Sequence, residues 1–291
     1  MPELPEVETV KRGLAKLIVG KTIAEVSHDW DKSFPNSKAD VNQFLLQAKV
    51  AEVKRRAKVL IIELDSKYSL LIHLKMTGQL VYVGEVRRFG AGHPNDSLIN
   101  QLPDKSTRVI FRFKDNSHLF FNDQRKFGWV RLVPTVEVPN IDFMRKIGPE
   151  PLNEKFASKE FIQRVRRQAN SPIKAAILDQ TVLAGVGNIY ADESLFGAKI
   201  HPATQVKNVT DAKLKLLLSE IRHVLQLSID KGGSSDRNYI NAEGKKGSYL
   251  GFAKVFRREG QACLNCQTDI EKIRVVGRGT HICPKCQKLI T

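Results

Sequence analysis

The first ten residues, MPELPEVETV, place a proline directly behind the initiator methionine and carboxylates at Glu3, Glu6 and Glu8. Methionine before a small residue is normally removed, which would leave the secondary amine of Pro2 at the mature amino terminus. A free α-amino group has a pKa of about 7.7–8.0, so a useful fraction is unprotonated and nucleophilic at neutral pH. Amines attack electrophilic sugar carbons or carbonyls and form iminium intermediates. Glu3 and Glu6 could then donate a proton and stabilise a cation, although the simpler interpretation is acidic capping of a helix.

The four cysteines all lie beyond position 262, in two pairs separated by residues 267–282: Cys263 with Cys266, and Cys283 with Cys286. This CxxC spacing is typical of one tetrahedral Zn²⁺ bound by four thiolates, with two disulfides or a redox CxxC as the alternatives. A closed four-Cys site has no open coordination position, so we expect one structural zinc ion. Arg274 and Arg278 would project from the hairpin between the pairs and could offer guanidinium groups to phosphates.

A glycine turn, LAGVGNIYADE (183–193), joins two predicted helices and leads into Asn188. It lacks the third glycine of a dinucleotide fingerprint. A glycine turn before an Asn-capped helix can present backbone N–H groups to an anion such as a DNA phosphate. A tight connection with a structural cap explains the turn alone equally well.

The net charge of +16 and the pI near 9.7 favour a polyanionic partner. Nucleic acid is the first candidate, an anionic membrane surface the second, and a basic protein without such a partner the third. The basic residues cluster, as in KRRAK (54–58). No stretch approaches the roughly 18 apolar residues of a membrane span, and no apolar signal segment is visible at the start. We therefore expect a cytoplasmic protein.

The elements that must position these residues change in type along the chain. Apolar spacing predicts a helix over 4–18, and short β-branched and aromatic runs between about 20 and 135 predict an antiparallel sandwich or barrel. The polar, glycine-rich stretch 86–97 is expected to be an exposed loop. Prolines suggest a linker before a helical region. We predict an α+β multi-domain chain with these divisions: domain 1–135, linker 136–151, helical domain 152–231, flexible loop and connection 232–258, and zinc finger 259–291.

Several motifs occur in an order that is specific to one family: MPELPEVETV, HLKMTGQL (73–80), NDQRKFG (122–128), LDQTVLAGVGNIYADESLF (178–196) and the four-Cys finger. Together they resemble formamidopyrimidine-DNA glycosylase over nearly the whole chain. The resemblance implies a bacterial base-excision repair enzyme that removes oxidised purines such as 8-oxoguanine and then cleaves the abasic site by β,δ-elimination. It implies an N-terminal helix plus β-sandwich domain with catalytic residues, a helix–two-turns–helix DNA-binding domain and a zinc finger. The expected partner is double-stranded DNA with oxidised purines or abasic sites. We expect the protein to bind it as a monomer and to have no membrane partner.

The same resemblance assigns roles to five residues of the reaction. Pro2 is the nucleophile that attacks C1′ of the damaged nucleotide, and Glu3 is the proton donor. Glu6 is a second acidic group near the sugar. Lys58 assists base release and β-elimination, although by itself it would be a solvated charge at the end of a strand. Arg278 contacts phosphates around the lesion and is linked to δ-elimination.

The resemblance also implies DNA contacts. The gap left by the extruded lesion would be filled by Met76, Arg125 and Phe127. Without the resemblance, Met76 and Phe127 would be interpreted as core residues. Lys174 and Asn188 match positions that grip the DNA backbone. The segment 232–250 resembles a flexible loop that closes over the extruded base.

Two motifs depart from the family pattern. The family sequence DPRRFG is NDQRKFG here, with Gln124 and Lys126 in place of Pro and Arg. A common KHDH motif is Lys105 to Arg108 here, so its phosphate-contacting histidines are absent. We expect Arg108 to compensate by contacting DNA. These departures leave the chemistry intact and affect only the backbone contacts.

Two alternative functions are compatible with the residues. The first is an endonuclease VIII-like glycosylase for oxidised pyrimidines, which the PELPEV opening disfavours. The second is a zinc-dependent DNA-binding protein without catalysis, for which retention of Met1 in the purified protein would argue.

Overall fold

A computed structural model describes residues 2–93, 95–234 and 249–290. The chain forms two compact units. The first comprises Met1–Arg145 with Lys231–Ser248, and the second comprises Lys146–Asp230 with Tyr249–Thr291. In the described part of the chain, no helix has both the length and the apolarity needed to cross a membrane.

The first unit begins with helix α1 (Leu4–Ile18), whose apolar residues Leu4, Val7, Val10, Leu14 and Ile18 are buried. Its other elements are β1 (Ile23–His28), the single turn α2 (Lys38–Asp40), β2 (Val50–Arg56), β3 (Val59–Leu64), β4 (Tyr68–His73), β5 (Gly78–Val83), β6 (Arg88–Gly92), β7 (Thr107–Phe113), β8 (His118–Asp123), β9 (Trp129–Pro134) and α3 (Asp142–Lys146). The predicted helix 4–18 is confirmed with its bounds.

Two antiparallel sheets make up this unit. One has the strand order β1-β7-β8-β5-β6 and the other β2-β3-β4-β9. Side chains from both sheets and from α1 form one apolar core, which includes Val10, Leu60, Ile62, Leu80 and Phe111. This arrangement confirms the predicted antiparallel sandwich.

The stretch 86–97 is not only an exposed loop, because it contains the edge strand β6. Phe89 and Ala91 of this strand are buried. A Cβ atom at Gly13 of α1 would lie 2.2 Å from the Phe89 ring, so the helix approaches β6 closely only because glycine stands there. The helix that carries the amino terminus is thereby packed against the edge of the first sheet.

The second unit contains α4 (Ser158–Arg166), α5 (Ile173–Leu178), α6 (Asn188–Gly197), α7 (Asp211–Asp230) and the hairpin β10 (Glu271–Val275) with β11 (Arg278–Ile282). The predicted helices of this region are confirmed. The N-cap of α6 is Gly187 instead of Asn188, which is the first helical residue. A small apolar cluster joins α6 to the cysteine module through Phe196, Val255 and Ile270.

Glu193 of α6 fixes the chain that enters the cysteine module. Its buried carboxylate accepts backbone N–H bonds from Lys254, Val255 and Phe256 at 2.8, 2.9 and 2.8 Å. Burial raises the pKa of Glu193 although these three donors favour its charged form. The carboxylate therefore anchors a segment that has no regular secondary structure of its own.

Candidate active site and nucleic-acid interface

The amino-terminal segment is packed instead of frayed. Pro2 is buried, and Glu3 is only 3% exposed. Glu3 and Glu6 form a reciprocal capping box at the start of α1, in which the Glu3 N–H donates to Glu6 Oε2 at 2.8 Å. The interpretation of the two glutamates as helix caps is therefore correct. The caps also hold both carboxylates close to Pro2.

Glu6 connects this segment to the start of the predicted capping loop. Its Oε1 atom accepts hydrogen bonds from the backbone N–H and the hydroxyl of Ser234, both at 2.8 Å. Gly233 has φ +94°, which favours glycine, and a Cβ atom there would lie 3.4 Å from the same oxygen. The rest of the predicted loop, residues 235–248, lies outside the described residues.

Lys58 occupies a two-residue turn between β2 and β3, because Arg56 pairs with Val59 across the hairpin. The residue is buried, with 8% exposure, so it is not a solvated charge at the end of a strand. Strand β2 packs against α1, which brings this hairpin to the helix that carries Glu3 and Glu6.

His73 is a site residue that the sequence analysis missed. It ends β4 and pairs with Val59, the residue after Lys58. Burial, together with the positive charges of Lys75 and Lys58, lowers the pKa of His73 to about 3. Its Nδ1 accepts the backbone N–H of Lys75 at 3.0 Å. His73 therefore presents a neutral imidazole beside Lys58, and its position in HLKMTGQL was the available signal.

The three side chains predicted to fill the gap in DNA lie on two turns of the first unit. Met76 is partly buried, whereas Arg125 and Phe127 are exposed on the turn between β8 and β9. The Phe127 side chain is 52% exposed, and the Arg125 guanidinium carbon lies 4.7 Å from its ring centroid. An exposed aromatic ring stacked with a cation is suited to insertion between bases, and core packing is excluded for Phe127.

Asp123 joins these two turns and was also missed. Its buried carboxylate accepts the hydroxyl of Thr77, which follows Met76, and the N–H groups of Arg125 and Gly128 at 3.2 and 2.6 Å. One carboxylate thus fixes both turns relative to each other. The residue stands inside the NDQRKFG motif, but its partners become visible only in the fold.

The departure at Lys126 has a local partner. Its ammonium nitrogen lies 4.5 Å from the ring centroid of Trp30, a residue that the sequence analysis did not single out. Lys32 lies over the same ring at 5.9 Å. Lys126 thus adds a cation–π contact between the β8–β9 turn and the segment after β1.

Arg108, which was predicted to contact DNA, is buried in the first unit. It is 5% exposed, and its guanidinium forms an ion pair with Asp29 and donates to the Asp123 carbonyl at 2.9 Å. A further bond goes to the carbonyl of Lys105. These contacts of Arg108 support the end of β8.

Lys174, which was predicted to grip the DNA backbone, is buried in the second unit. It is 1% exposed, and its ammonium group bonds to Asp192 of α6 at 2.5 Å and to the Thr280 hydroxyl of β11 at 2.7 Å. A buried ammonium needs such partners. The side chain therefore ties α5 to α6 and to the hairpin.

Asn188 lies at an open cleft of about 460 Å³ in the second unit. Its Nδ2 donates to the Gly279 carbonyl at 3.1 Å. Its Oδ1 is buried and has no hydrogen-bond partner among the residues that the structure describes. The cleft is lined by Asn188, Phe256, Arg257, Glu259, Lys272, Gly279 and His281. A polar helix start in a cationic cleft can receive a phosphate.

The four cysteines converge. The sulfur atoms of Cys263, Cys266, Cys283 and Cys286 all lie within 4.8 Å of one another, and all four residues are free thiols. The Sγ–Sγ distances for three pairs are 4.0, 3.4 and 3.5 Å. A tetrahedron with Zn–S bonds of about 2.3 Å has edges of about 3.8 Å, so the cluster fits zinc and excludes disulfides.

The hairpin between the cysteine pairs exposes both arginines that the sequence singled out. Val275 pairs with Arg278, and the two turn residues, Val276 and Gly277, both have positive φ, at 48° and 72°. This conformation matches the twist of a tight hairpin. Arg274 and Arg278 are exposed and are therefore accessible to phosphates.

Three family models match the chain. They are the formamidopyrimidine-DNA glycosylase N-terminal domain over residues 1–130, the H2TH domain of the same family over 147–239, and the "Zinc finger found in FPG and IleRS" over 260–289. Together they cover the amino-terminal segment, the glycine turn and the cysteine cluster described above.

Relatives match over their full length. The chain is 40% identical over 291 residues to a formamidopyrimidine-DNA glycosylase of Halalkalibacterium halodurans, covering 99% of this chain and 100% of that protein. Identity to the corresponding Pediococcus pentosaceus protein is 39% over 290 residues, with 99% and 100% coverage. Two Lactococcus lactis structures, one a variant bound to DNA containing Fapy-dG and one bound to DNA containing an abasic site, each match with a TM-score of 0.87. Each of these two structures is 34% identical in sequence to this chain, and each match covers 99% of this chain and 100% of the Lactococcus lactis chain.

Proposed function

The chain belongs to the formamidopyrimidine-DNA glycosylase family, and from this membership we propose that it excises oxidised purines from double-stranded DNA and then cleaves the abasic site. The substrates are 8-oxoguanine and formamidopyrimidines in a duplex. The protein acts as a monomer in the cytoplasm of a bacterial cell and reaches the nucleoid through DNA.

The observation that carries this proposal is the ordered amino terminus. Chain ends are usually frayed, yet Pro2 and Glu3 are buried and the capping box fixes the first turn. A nucleophile must be held in one geometry for efficient attack. Removal of Met1 would place the secondary amine of Pro2 beside the two carboxylates of the capping box, in a segment that is already fixed.

The first stage of the reaction breaks the glycosidic bond. The lesion is extruded from the duplex, and Met76, Arg125 and Phe127 fill the space that it leaves. The Pro2 nitrogen attacks C1′ while Glu3 protonates the sugar ring oxygen, the ring opens and the base departs with the bonding electrons and a proton. The Glu6 carboxylate stabilises the cationic iminium that results.

The second stage breaks the DNA backbone. The iminium acidifies the proton on C2′, whose removal expels the 3′ phosphate in β-elimination. Loss of a further proton expels the 5′ phosphate in δ-elimination and leaves a one-nucleotide gap. Lys58 assists base release and the first elimination, and Arg278 holds the phosphate that departs in the second. Hydrolysis of the iminium frees Pro2.

Zinc takes no part in these bond changes. Cys263, Cys266, Cys283 and Cys286 would hold the ion, which supplies folding free energy to a module with only a small apolar cluster of its own. By holding the ion, the four cysteines would keep the hairpin that carries Arg278 rigid. Asn188 and the cleft beside it bind a second phosphate.

A substrate comparison distinguishes the proposed function from the alternatives. The mature protein is incubated with matched duplexes that contain 8-oxoguanine opposite cytosine or thymine glycol opposite adenine. We expect faster excision of 8-oxoguanine. Faster excision of thymine glycol would indicate an endonuclease VIII-like enzyme, and tight binding without excision of either lesion would indicate a binding protein.

The net charge predicts a steep dependence of DNA affinity on salt. Each neutralised phosphate contributes a slope of about −0.9 to the plot of log affinity against log salt, so six contacts weaken binding roughly a thousandfold between about 50 and 200 mM salt. Fluorescence anisotropy with a tetrahydrofuran-containing duplex measures this slope, and Arg278→Ala should reduce its magnitude by about 1. A flat plot would contradict binding through phosphates.

A further inference from the structure

We infer that Glu8 and Arg55 are positioning residues that hold the Lys58 turn in register with the helix that carries Pro2 and Glu3. The inference rests on the proposed function, because it concerns a lysine of that reaction. Glu8 belongs to the amino-terminal motif, and Arg55 belongs to the basic cluster 54–58. Neither has a role in the reaction stages described above.

The connection begins on α1. Glu8 Oε2 accepts a hydrogen bond from Arg55 Nε at 3.0 Å, and its Oε1 accepts bonds from Lys11 Nζ at 3.1 Å and Arg12 Nε at 3.0 Å. The Glu8 and Arg55 side chains are each only 11% exposed. Burial by itself would raise the pKa of Glu8, but the hydrogen bonds and charges of Arg55 and Lys11 lower it overall. The pair is therefore ionised and shielded from water.

Arg55 carries the connection into the turn. While Nε binds Glu8, Nη1 of the same guanidinium donates to the Ala57 carbonyl at 2.9 Å. Ala57 and Lys58 are the two residues of the β2–β3 turn. The planar guanidinium thus fixes the distance between the carboxylate on α1 and the backbone carbonyl directly before Lys58.

The turn needs such support. Ala57 has φ 52°, a left-handed conformation that glycine adopts without strain and that costs an alanine free energy. A conformation of this kind persists where its surroundings determine it, and functional sites are common locations. The carbonyl held by Arg55 belongs to the strained residue itself. The hydrogen bond from Arg55 to the Ala57 carbonyl therefore restrains the conformation of the turn. A change in that conformation would displace the Lys58 ammonium.

The first two substitutions of the test, Arg55→Lys and its control, keep the positive charge of the residue that they replace. Arg55→Lys preserves the pairing with Glu8, but a single ammonium cannot span the carboxylate and the Ala57 carbonyl as the guanidinium does. Arg12→Lys is the matched control, because Arg12 binds the same carboxylate with a side chain that is 54% exposed. Single-turnover excision of 8-oxoguanine, the affinity for a tetrahydrofuran duplex and the melting temperature are measured for each protein.

We expect Arg55→Lys to slow excision by about 10- to 100-fold, the scale of a misplacement near 1 Å, with affinity for the tetrahydrofuran duplex within about threefold of wild type. Arg12→Lys should change the rate by less than about twofold. In a Lys58→Met background, Arg55→Lys should have almost no further effect, because a residue that acts through Lys58 cannot act after its removal. Glu8→Gln removes the negative charge that faces Arg55 and replaces one of the two acceptor oxygens by an NH2 donor, so it weakens the same connection from the other end and should behave like Arg55→Lys.

An undiminished rate in Arg55→Lys and Glu8→Gln would overturn the inference, and so would additive effects of Arg55→Lys and Lys58→Met. If Arg55→Lys does not fold, Glu8→Gln decides by the same criteria. The wild-type protein tests the proposed function separately in this assay. An inactive wild type would overturn that function, whereas an active wild type with additive effects would overturn only the positioning role.

Discussion

Glu3→Gln should bind lesion-containing DNA like the wild-type protein and lose excision by at least about 100-fold, because a general acid contributes roughly 10²–10⁴-fold to such a reaction. The amide keeps an oxygen that can accept the bond which Glu3 receives in the capping box, so α1 should begin as before. It cannot donate the proton that opens the sugar ring. The measurement is a single-turnover rate with 8-oxoguanine opposite cytosine, together with affinity for the tetrahydrofuran duplex.

Glu137→Gln is the matched control for this prediction. Glu137 is an exposed residue of the first unit, after β9, and the substitution makes the same chemical change. We expect it to retain the wild-type rate. If Glu3→Gln excised the lesion as fast as the wild type, Glu3 would be a helix cap without a role in proton transfer.

Cys263→Ser should release zinc and weaken binding to the tetrahydrofuran duplex by about 100-fold or more. The sulfur of Cys263 is buried in the cluster, and structural zinc supplies about 10–16 kcal/mol of apparent binding free energy in zinc-finger peptides. Without the ion, the hairpin that exposes Arg274 and Arg278 should lose its fixed geometry. A colorimetric zinc assay and fluorescence anisotropy measure the two effects.

Leu264→Ser introduces the same residue at the next position, where the side chain is 61% exposed and binds no metal. It should keep one zinc ion per protein and the wild-type affinity. A zinc-free Cys263→Ser protein with unchanged affinity would show that the cysteine module is not part of the DNA interface.

Local patterns in the sequence were sufficient for most of the fold. The helix over 4–18 and the strands rich in β-branched residues follow from periodicity, and periodicity does not depend on distant partners. Strand β6 was missed because two of its five residues are glycine. A Cβ atom at Gly92 would lie 2.5 Å from the Gly78 carbonyl, and Gly92 has φ +127°, so both close packing of neighbouring backbone and the local conformation require glycine there.

The candidate site was predictable where it consists of contiguous motifs and unpredictable where charges pair across the fold. Lys174 was expected to contact DNA because it matches a family position, and Arg108 because it could compensate for the missing histidines of the family motif. Their partners include Asp29 and Thr280, which are remote in sequence, and only folding brings them together. The same holds for Asp123, whose motif was recognised while its contact with Thr77 was not.

The central claim is that the nitrogen of Pro2 forms a covalent bond with the deoxyribose of the lesion. The direct measurement is reduction with sodium borohydride during the reaction of the mature protein with 8-oxoguanine duplex, followed by peptide mapping of the cross-linked species. We predict a stable protein–DNA adduct on the amino-terminal residue, and none for a protein whose amino terminus has been acetylated. An active protein that yields no adduct, or an adduct that maps to a lysine, would contradict this account.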